Sequence, residues 1–171
     1  MNNDHEQSEI RAHWRLLFSA TVGIGCSLTS LITYTSGVFL PTLTRIFGWH
    51  DAQMLASITI VLLTTSICAP LIGILSDRYG SRKVILGSVT AMGLSWILLA
   101  CGTGSLSVFY LSFALLAIAG SGTLPITWTR GLMRAFRRKR GLALGIAMIG
   151  TGLFGGVVKM FTFTVMAELG W

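Results

Sequence analysis

The chain has 171 residues, of which 53% are hydrophobic and 11% charged, with a mean hydropathy of +0.73 and a formal net charge of +7. Soluble domains carry roughly a quarter charged residues, so this composition excludes an ordinary soluble fold and places the chain among membrane proteins. The sequence pI near 10.0 does not point to nucleic acid, because the basic residues sit between long apolar runs and not across one polar face.

Residues 1–15 form a polar tail with Asp4, Glu6 and Glu9. The apolar run behind it is too long for a signal-peptide core. Residues 16–44, 52–76, 84–129 and 141–158 contain no Asp, Glu, Lys or Arg. A membrane helix needs about 20 apolar residues at 1.5 Å each. The first two runs hold one helix each. The third is too long for one and fits two, with a turn at Cys101-Gly102-Thr103-Gly104-Ser105. The last is a fifth helix that continues past Lys159 and ends near Leu169. Lipid offers no partner to an unpaired backbone group, so helices are the expected element. The sequence therefore predicts an all-α, multi-pass bundle with helices at residues 16–43, 53–76, 84–102, 107–130 and 141–167.

Alternating spans put Arg11, Arg15, Arg78, Arg82, Lys83, Arg134, Arg137, Arg138, Lys139 and Arg140 on one side and only Arg45 on the other. That bias predicts a cytoplasmic N-terminus, and the expected location is the inner (plasma) membrane. The segment from Arg134 to Arg140 reads as a cytoplasmic loop near anionic head groups. Trp14 and Trp128 fall near the cytoplasmic boundary and Trp49 and Trp171 near the opposite one, where amphipathic rings prefer to lie; Trp96 is mid-span and fills core. Cys26, Cys68 and Cys101 are widely separated within apolar runs, which suits small buried side chains and no metal site. No Ser/His/Asp set or phosphate-binding glycine loop is present, so neither an enzyme nor a cofactor is expected. The Gly120-Ser121-Gly122 pair reads as packing.

Between the second and third helices the chain reads Gly73-Ile74-Leu75-Ser76-Asp77-Arg78-Tyr79-Gly80-Ser81-Arg82-Lys83. Gly73 lacks a side chain and would let another helix approach closely. Gly80 permits a sharp reversal. Asp77 lies where a helix leaves the membrane and should meet a base or a helix N-terminus. This segment resembles the cytoplasmic loop motif G-x-L-x-D-R-x-G-x-R-K of the major facilitator superfamily. In that family the loop latches the cytoplasmic side shut against the other half of the transporter, so the resemblance implies a gating role for Gly73, Asp77, Arg78, Gly80, Arg82 and Lys83. The bland reading of Arg82 and Lys83 is that they only set topology. Phe47-Gly48-Trp49 with Gln53, Arg140-Gly141-Leu142-Ala143-Leu144-Gly145 and Gly170-Trp171 look like the monocarboxylate or oxalate–formate exchanger-like branch.

Two departures narrow the resemblance. Drug–proton antiporters of the family carry G-P-x-x-G-G in helix five, where this chain has Thr151-Gly152-Leu153-Phe154-Gly155-Gly156 without the proline. The helix-four arginine of many proton-coupled members is replaced by the apolar stretch Leu115-Leu116-Ala117-Ile118-Ala119.

Gly141, Gly145, Gly152 and Gly156 fall within roughly a 60° arc of helix five, a stripe suited to close helix packing. Lys159 shares the stripe and would face protein more than lipid. A charge at the bilayer centre costs about 2.5–3.5 kcal/mol, which makes Lys159 a candidate for attracting an organic anion. It also lies about 28 Å from Arg140 along the helix, where it could snorkel at the outer boundary. Arg130 lies at the cytoplasmic interface, as an anchor or a gate contact, and Pro125 before it should kink helix four. Tyr34 and Thr35 could line a cavity or simply pack.

The resemblance implies a transport path between two six-helix halves, each with inverted repeats. The chain would supply helices one to five, leaving Asp77 without its expected partner across the halves. The function predicted is that of a fragment of a secondary transporter for a small organic anion, not competent alone. Its partners would be the lipid bilayer, the missing C-terminal half and the anion, with no nucleic acid. The alternative is a short membrane protein that pairs with another chain in a structural or regulatory role, or a decayed gene product.

Overall fold

The computed structural model describes residues 2–100, 105–136 and 139–169, and all of the regular structure among them is helical. The glycine-rich turn at 101–104, the bases Arg137 and Arg138, and the Gly170-Trp171 pair lie outside the described residues.

The first span is two helices, not one. α1 (Asn2–Gly25) kinks at His13, where φ is −113° and ψ 18°, at the junction of polar tail and apolar run. It stops at Gly25. Ser27 then adopts an extended conformation, φ −68° and ψ 158°, as the N-cap of α2 (Leu28–Phe47). The segments from His13 to Gly25 and from Leu28 to Gly37 meet at 41°. The continuous helix expected over residues 16–43 is corrected accordingly: Gly25 and Ser27 supply a stop and a start within an uncharged run.

α3 (Asp51–Tyr79) opens with a capping box in which the His50 backbone N–H donates to Gln53 Oε1 at 3.0 Å. α4 (Ser81–Ala100) follows after a single residue, Gly80. The fourth span is also broken. α5 (Leu106–Gly120) passes into a 3-10 turn (Ser121–Thr123), and α6 (Pro125–Ala135) restarts with Pro125 in its first turn. A proline there loses no hydrogen bond, which is why the chain resumes its helix at that point. α7 (Arg140–Leu169) completes the set. Among the described residues four helical runs are long and apolar enough to cross a membrane, and the bent α1–α2 pair makes up to five. The molecule is an all-α, multi-pass membrane bundle.

Two apolar clusters hold it together. Leu17, Ala20 and Ile24 of α1 pack with Leu132 and Phe136 at the end of α6 and with Ala143 and Ala147 of α7. Leu28 and Ile32 of α2 pack with Val61, Met92, Leu116 and Ala117 from α3, α4 and α5. The broken first span thus belongs to both clusters, one half to each. Lipid tails are as apolar as these side chains, so close contact and hydrogen bonds must drive association. Glycines supply the closeness. A Cβ on Gly23 would overlap the Trp128 ring, one on Gly150 the Thr21 carbonyl, one on Gly122 the Ser88 hydroxyl, and one on Gly155 the Tyr34 ring.

The end where α3 gives way to α4 and α6 to α7 carries nearly all the bases and is termed the basic end. At the opposite end the rings of Trp49 and Phe109 pack tilted with centroids 5.2 Å apart, those of Phe109 and Phe113 likewise at 4.6 Å, and the Tyr110 hydroxyl donates to the Gln53 backbone carbonyl at 2.9 Å.

Candidate gating site at the basic end

The segment Gly73 to Lys83 is mostly helix. Asp77 and Arg78 occupy the last turn of α3, and Ser81, Arg82 and Lys83 the first turn of α4, so the reversal falls on Gly80 alone. Gly80 has φ 85°, in the region that favours glycine. Hydropathy ended α3 at residue 76, but helical hydrogen bonding continues to Tyr79, because charged residues extend a helix readily once it enters water.

That extension places Asp77 at the negative end of a helix dipole, where a carboxylate is unfavourable without cations beside it. α6 provides them. Arg130 Nη1 donates to Asp77 Oδ1 at 3.2 Å and to the Gly73 carbonyl at 3.3 Å, and Arg134 Nη2 stands 4.0 Å from the same carboxylate oxygen. Arg130 and Arg134 are four residues apart and share one face of α6. Arg134, read from sequence as part of a loop, is in that helix's last turn. Asp77, expected to await a partner across the halves, already meets two bases within this chain.

The Asp77 side chain is 65% exposed and that of Arg130 35%, so the pair contributes no more than about 1 kcal/mol. Such a contact positions two helices and opens easily. Gly73 needs a different explanation from the sequence-based one. What approaches it is the Arg130 guanidinium, 3.5 Å from where a Cβ would stand, an ordinary contact that alanine would tolerate. Its carbonyl is what Arg130 uses. Arg78 lies over the Tyr79 ring at 5.6 Å, and Arg82 and Lys83 are exposed on α4.

Behind this site the two broken spans face each other. Thr123 Oγ1 accepts a hydrogen bond from the Leu28 backbone N–H at 3.1 Å and donates to the Gly120 carbonyl at 2.7 Å. Ser30 Oγ donates to the Ile24 carbonyl at 3.0 Å, across the break in the first span. The N–H freed where α2 starts is thus bound by the turn that interrupts the fourth span. Sequence reading missed this pairing; its trace was Gly25-Cys26-Ser27 in one run and Ser121-Gly122-Thr123-Leu124-Pro125 in the other.

The other sequence-predicted candidates lie elsewhere. The Tyr34 ring packs against Gly155 of α7, and Lys159 is exposed one turn farther along. Arg130 is therefore with Asp77 at the basic end, not with Tyr34 and Lys159. Thr35 is buried and donates to the Leu31 carbonyl at 2.6 Å. The stripe of Gly141, Gly145, Gly152 and Gly156 meets nothing within 4 Å; the glycines that α7 uses for packing are Gly150 and Gly155. The stripe and Lys159 face out of the described bundle. Among the described residues no group of His, Cys, Asp or Glu could hold a metal ion.

The family profile described as Major Facilitator Superfamily matches residues 22–171. An uncharacterized MFS-type transporter of Bacillus subtilis, YfiU, is 31% identical over 72% of this chain and 24% of its own length. Monocarboxylate transporter 13 of Bos taurus is 36% identical over 68% of the chain and 27% of its own length. The ectoine/proline transporter ProP of Corynebacterium glutamicum is 26% identical over 94% of the chain and 32% of its own length. The chain thus spans between 24% and 32% of the length of these relatives. No solved structure matches.

Proposed function

The chain belongs to the major facilitator superfamily, and from that premise we propose that it forms the first five spans of a secondary transporter that moves a small, monocarboxylate-like organic anion by alternating access. The observation that carries the gating part of this reading is the Asp77–Arg130 contact at 3.2 Å, formed where the family-like loop turns on Gly80. A cheap ion pair at helix ends suits a contact made and broken in each cycle. In this reading Asp77, Arg78, Arg82 and Lys83 latch the cytoplasmic side against the remainder of the transporter. In this reading the membrane is the inner (plasma) membrane and the N-terminus is cytoplasmic, the latter supported by the asymmetry of Lys and Arg. Alternating access needs two bodies rocking about a central site, so the five spans depend on a second half for transport.

The anion preference is supported by several relatives being monocarboxylate transporters, and by Lys159 lying on an outward face of α7. Uptake of radiolabelled lactate and of proline into proteoliposomes containing the complete protein tests it. The anion reading expects lactate to be carried, and the separate part given to Lys159 expects Lys159→Ala to raise its KM at least tenfold. Proline uptake without lactate uptake would overturn it in favour of a zwitterion, as the ectoine/proline relative suggests. Unchanged lactate kinetics in Lys159→Ala would remove the lysine from the path while leaving the anion reading intact.

A further inference from the structure

Arg82 and Lys83 stand in the first turn of α4, and no acid shares that turn with them. Both side chains are exposed. The other exposed bases described at this end are engaged. Arg15 lies over the Trp14 ring at 5.9 Å and Arg78 over the Tyr79 ring at 5.6 Å. Arg134 stands beside Asp77, and Arg140 Nε donates to the Phe136 carbonyl at 2.8 Å. Among the described residues no acid, carbonyl or ring meets Arg82 or Lys83. Two neighbouring cations are therefore left without a counter-charge at the edge of a span that runs from Ser81 to Leu99.

Arg82 also heads a row of apolar side chains. Leu86, Val89 and Ile97 follow it on one face of α4 and are 59%, 44% and 63% exposed. Leu86 and Val89 lie about 6 and 10 Å below Arg82 along the helix. Both fall within the half of the hydrocarbon core, about 15 Å, that one leaflet supplies. Ile97, about 22 Å below, lies beyond it.

We propose that Arg82, Lys83 and this row form a site for an anionic glycerophospholipid, with its phosphate between the two bases and one acyl chain along Leu86 and Val89. A lipid of this kind matches both features in one molecule. A soluble anion would meet the bases and leave the row bare. A zwitterionic lipid brings an ammonium group that the same two bases repel. Each base near an anionic membrane surface is worth about fivefold in affinity, so the pair favours an anionic headgroup by roughly 25-fold. The site goes beyond the transport reading, since it needs only that the basic end lie at a membrane surface. A bound lipid and the proposed latch draw on the same two bases, so the two compete.

The test uses the full chain reconstituted in phosphatidylcholine vesicles. These carry a trace of either phosphatidylglycerol or phosphatidylcholine with a diazirine near the top of one acyl chain. Illumination and peptide mapping then show which side chains each lipid touches. The site expects phosphatidylglycerol to label Leu86 and Val89 at least fivefold more than phosphatidylcholine does, and Ile97 to be labelled equally by both. Arg82→Gln combined with Lys83→Gln should remove the excess. Arg82→Lys combined with Lys83→Arg keeps both charges and should keep it, which separates lost charge from lost folding. Equal labelling by the two lipids in the parent overturns the site, as does an excess lost in the charge-keeping variant. An excess that falls as far in Arg140→Gln as in Arg82→Gln alone would reveal diffuse attraction to the whole basic end, and it overturns the site too. Inorganic phosphate exchanged for chloride at constant ionic strength should leave the excess in place; its loss would assign the bases to a soluble anion and overturn the lipid. Transport is not the readout, so failure here leaves the transport reading standing.

Discussion

Replacing Thr123 by valine tests whether the two broken spans depend on each other. Valine keeps the shape of threonine and removes only the hydroxyl. In the folded chain that hydroxyl accepts the Leu28 N–H at 3.1 Å, and Thr123 is 1% exposed. Leu28 opens α2, so its N–H has no intrahelical carbonyl to bind. Thr123→Val therefore strands a buried donor, at a cost of about 1–3 kcal/mol. Membrane interiors have given smaller values for single side-chain bonds, averaging about 0.6 kcal/mol, so the lower half of that range is the firmer expectation. For a chain of this size each kcal/mol lowers the melting temperature by about 2–4 °C. Thr123→Ser is the control. It keeps the hydroxyl and removes one methyl, worth about 0.8 kcal/mol of burial. The assay is thermal unfolding in detergent, with Cys68 and Cys101 replaced by serine throughout, followed by a thiol-reactive fluorophore that then reports exposure of Cys26, itself beside the break in the first span. The expected order is parent, then Thr123→Ser, then Thr123→Val. A valine variant melting at or above the parent would show that the Leu28 bond contributes nothing and that the two breaks are independent.

Other expectations follow from the same geometry. Gly150→Ala should cost about 1–3 kcal/mol, because a methyl there meets the Thr21 carbonyl, while Gly152→Ala on the same helix should be neutral or stabilising, since nothing lies within 4 Å of it; melting temperatures of the pair decide. Asp77→Asn should lower stability by no more than about 1 kcal/mol, given the pair's exposure, yet cut transport by the complete protein at least tenfold; a large stability loss with transport retained would make the acid a structural residue. In a cysteine-free background, His50→Cys should react with a membrane-impermeant maleimide in intact cells and Ser81→Cys only after permeabilisation, and the reverse pattern would invert the proposed topology.

The kind of the elements and the stretches they occupy were legible because hydropathy measures what lipid demands. Uncharged runs mark where a helix is in hydrocarbon, and the helices lie there. Their ends were less legible for the same reason. Asp77 and Arg78 read as loop because they cannot sit in lipid, although nothing prevents them from continuing a helix into water. The breaks at Ser27 and at Ser121–Thr123 were invisible to hydropathy, since serine, threonine and glycine barely change the mean of a window. Only Pro125 announced one of them, as a kink. Its restart of α6 required the 3-10 turn before it, which no local pattern specifies.

The glycines of α7 show a limit of periodicity that the gating acid shows in another form. A spacing of four, seven and four defines a face, and Gly141, Gly145, Gly152 and Gly156 do share one. Spacing does not say what that face meets. The positions pressed against neighbours are Gly150 and Gly155, which lie off the stripe, because α7 packs on α1 and α2 through Thr21 and Tyr34. Asp77 likewise needed a cation, which its place at a helix end made predictable. Which cation depended on α6 being rotated so that Arg130 and Arg134 face α3, and that rotation is fixed by Leu132 and Phe136 burying themselves against α1 and α7. Residue chemistry therefore named the groups that must be satisfied. Packing of side chains with no chemistry of their own chose the partners.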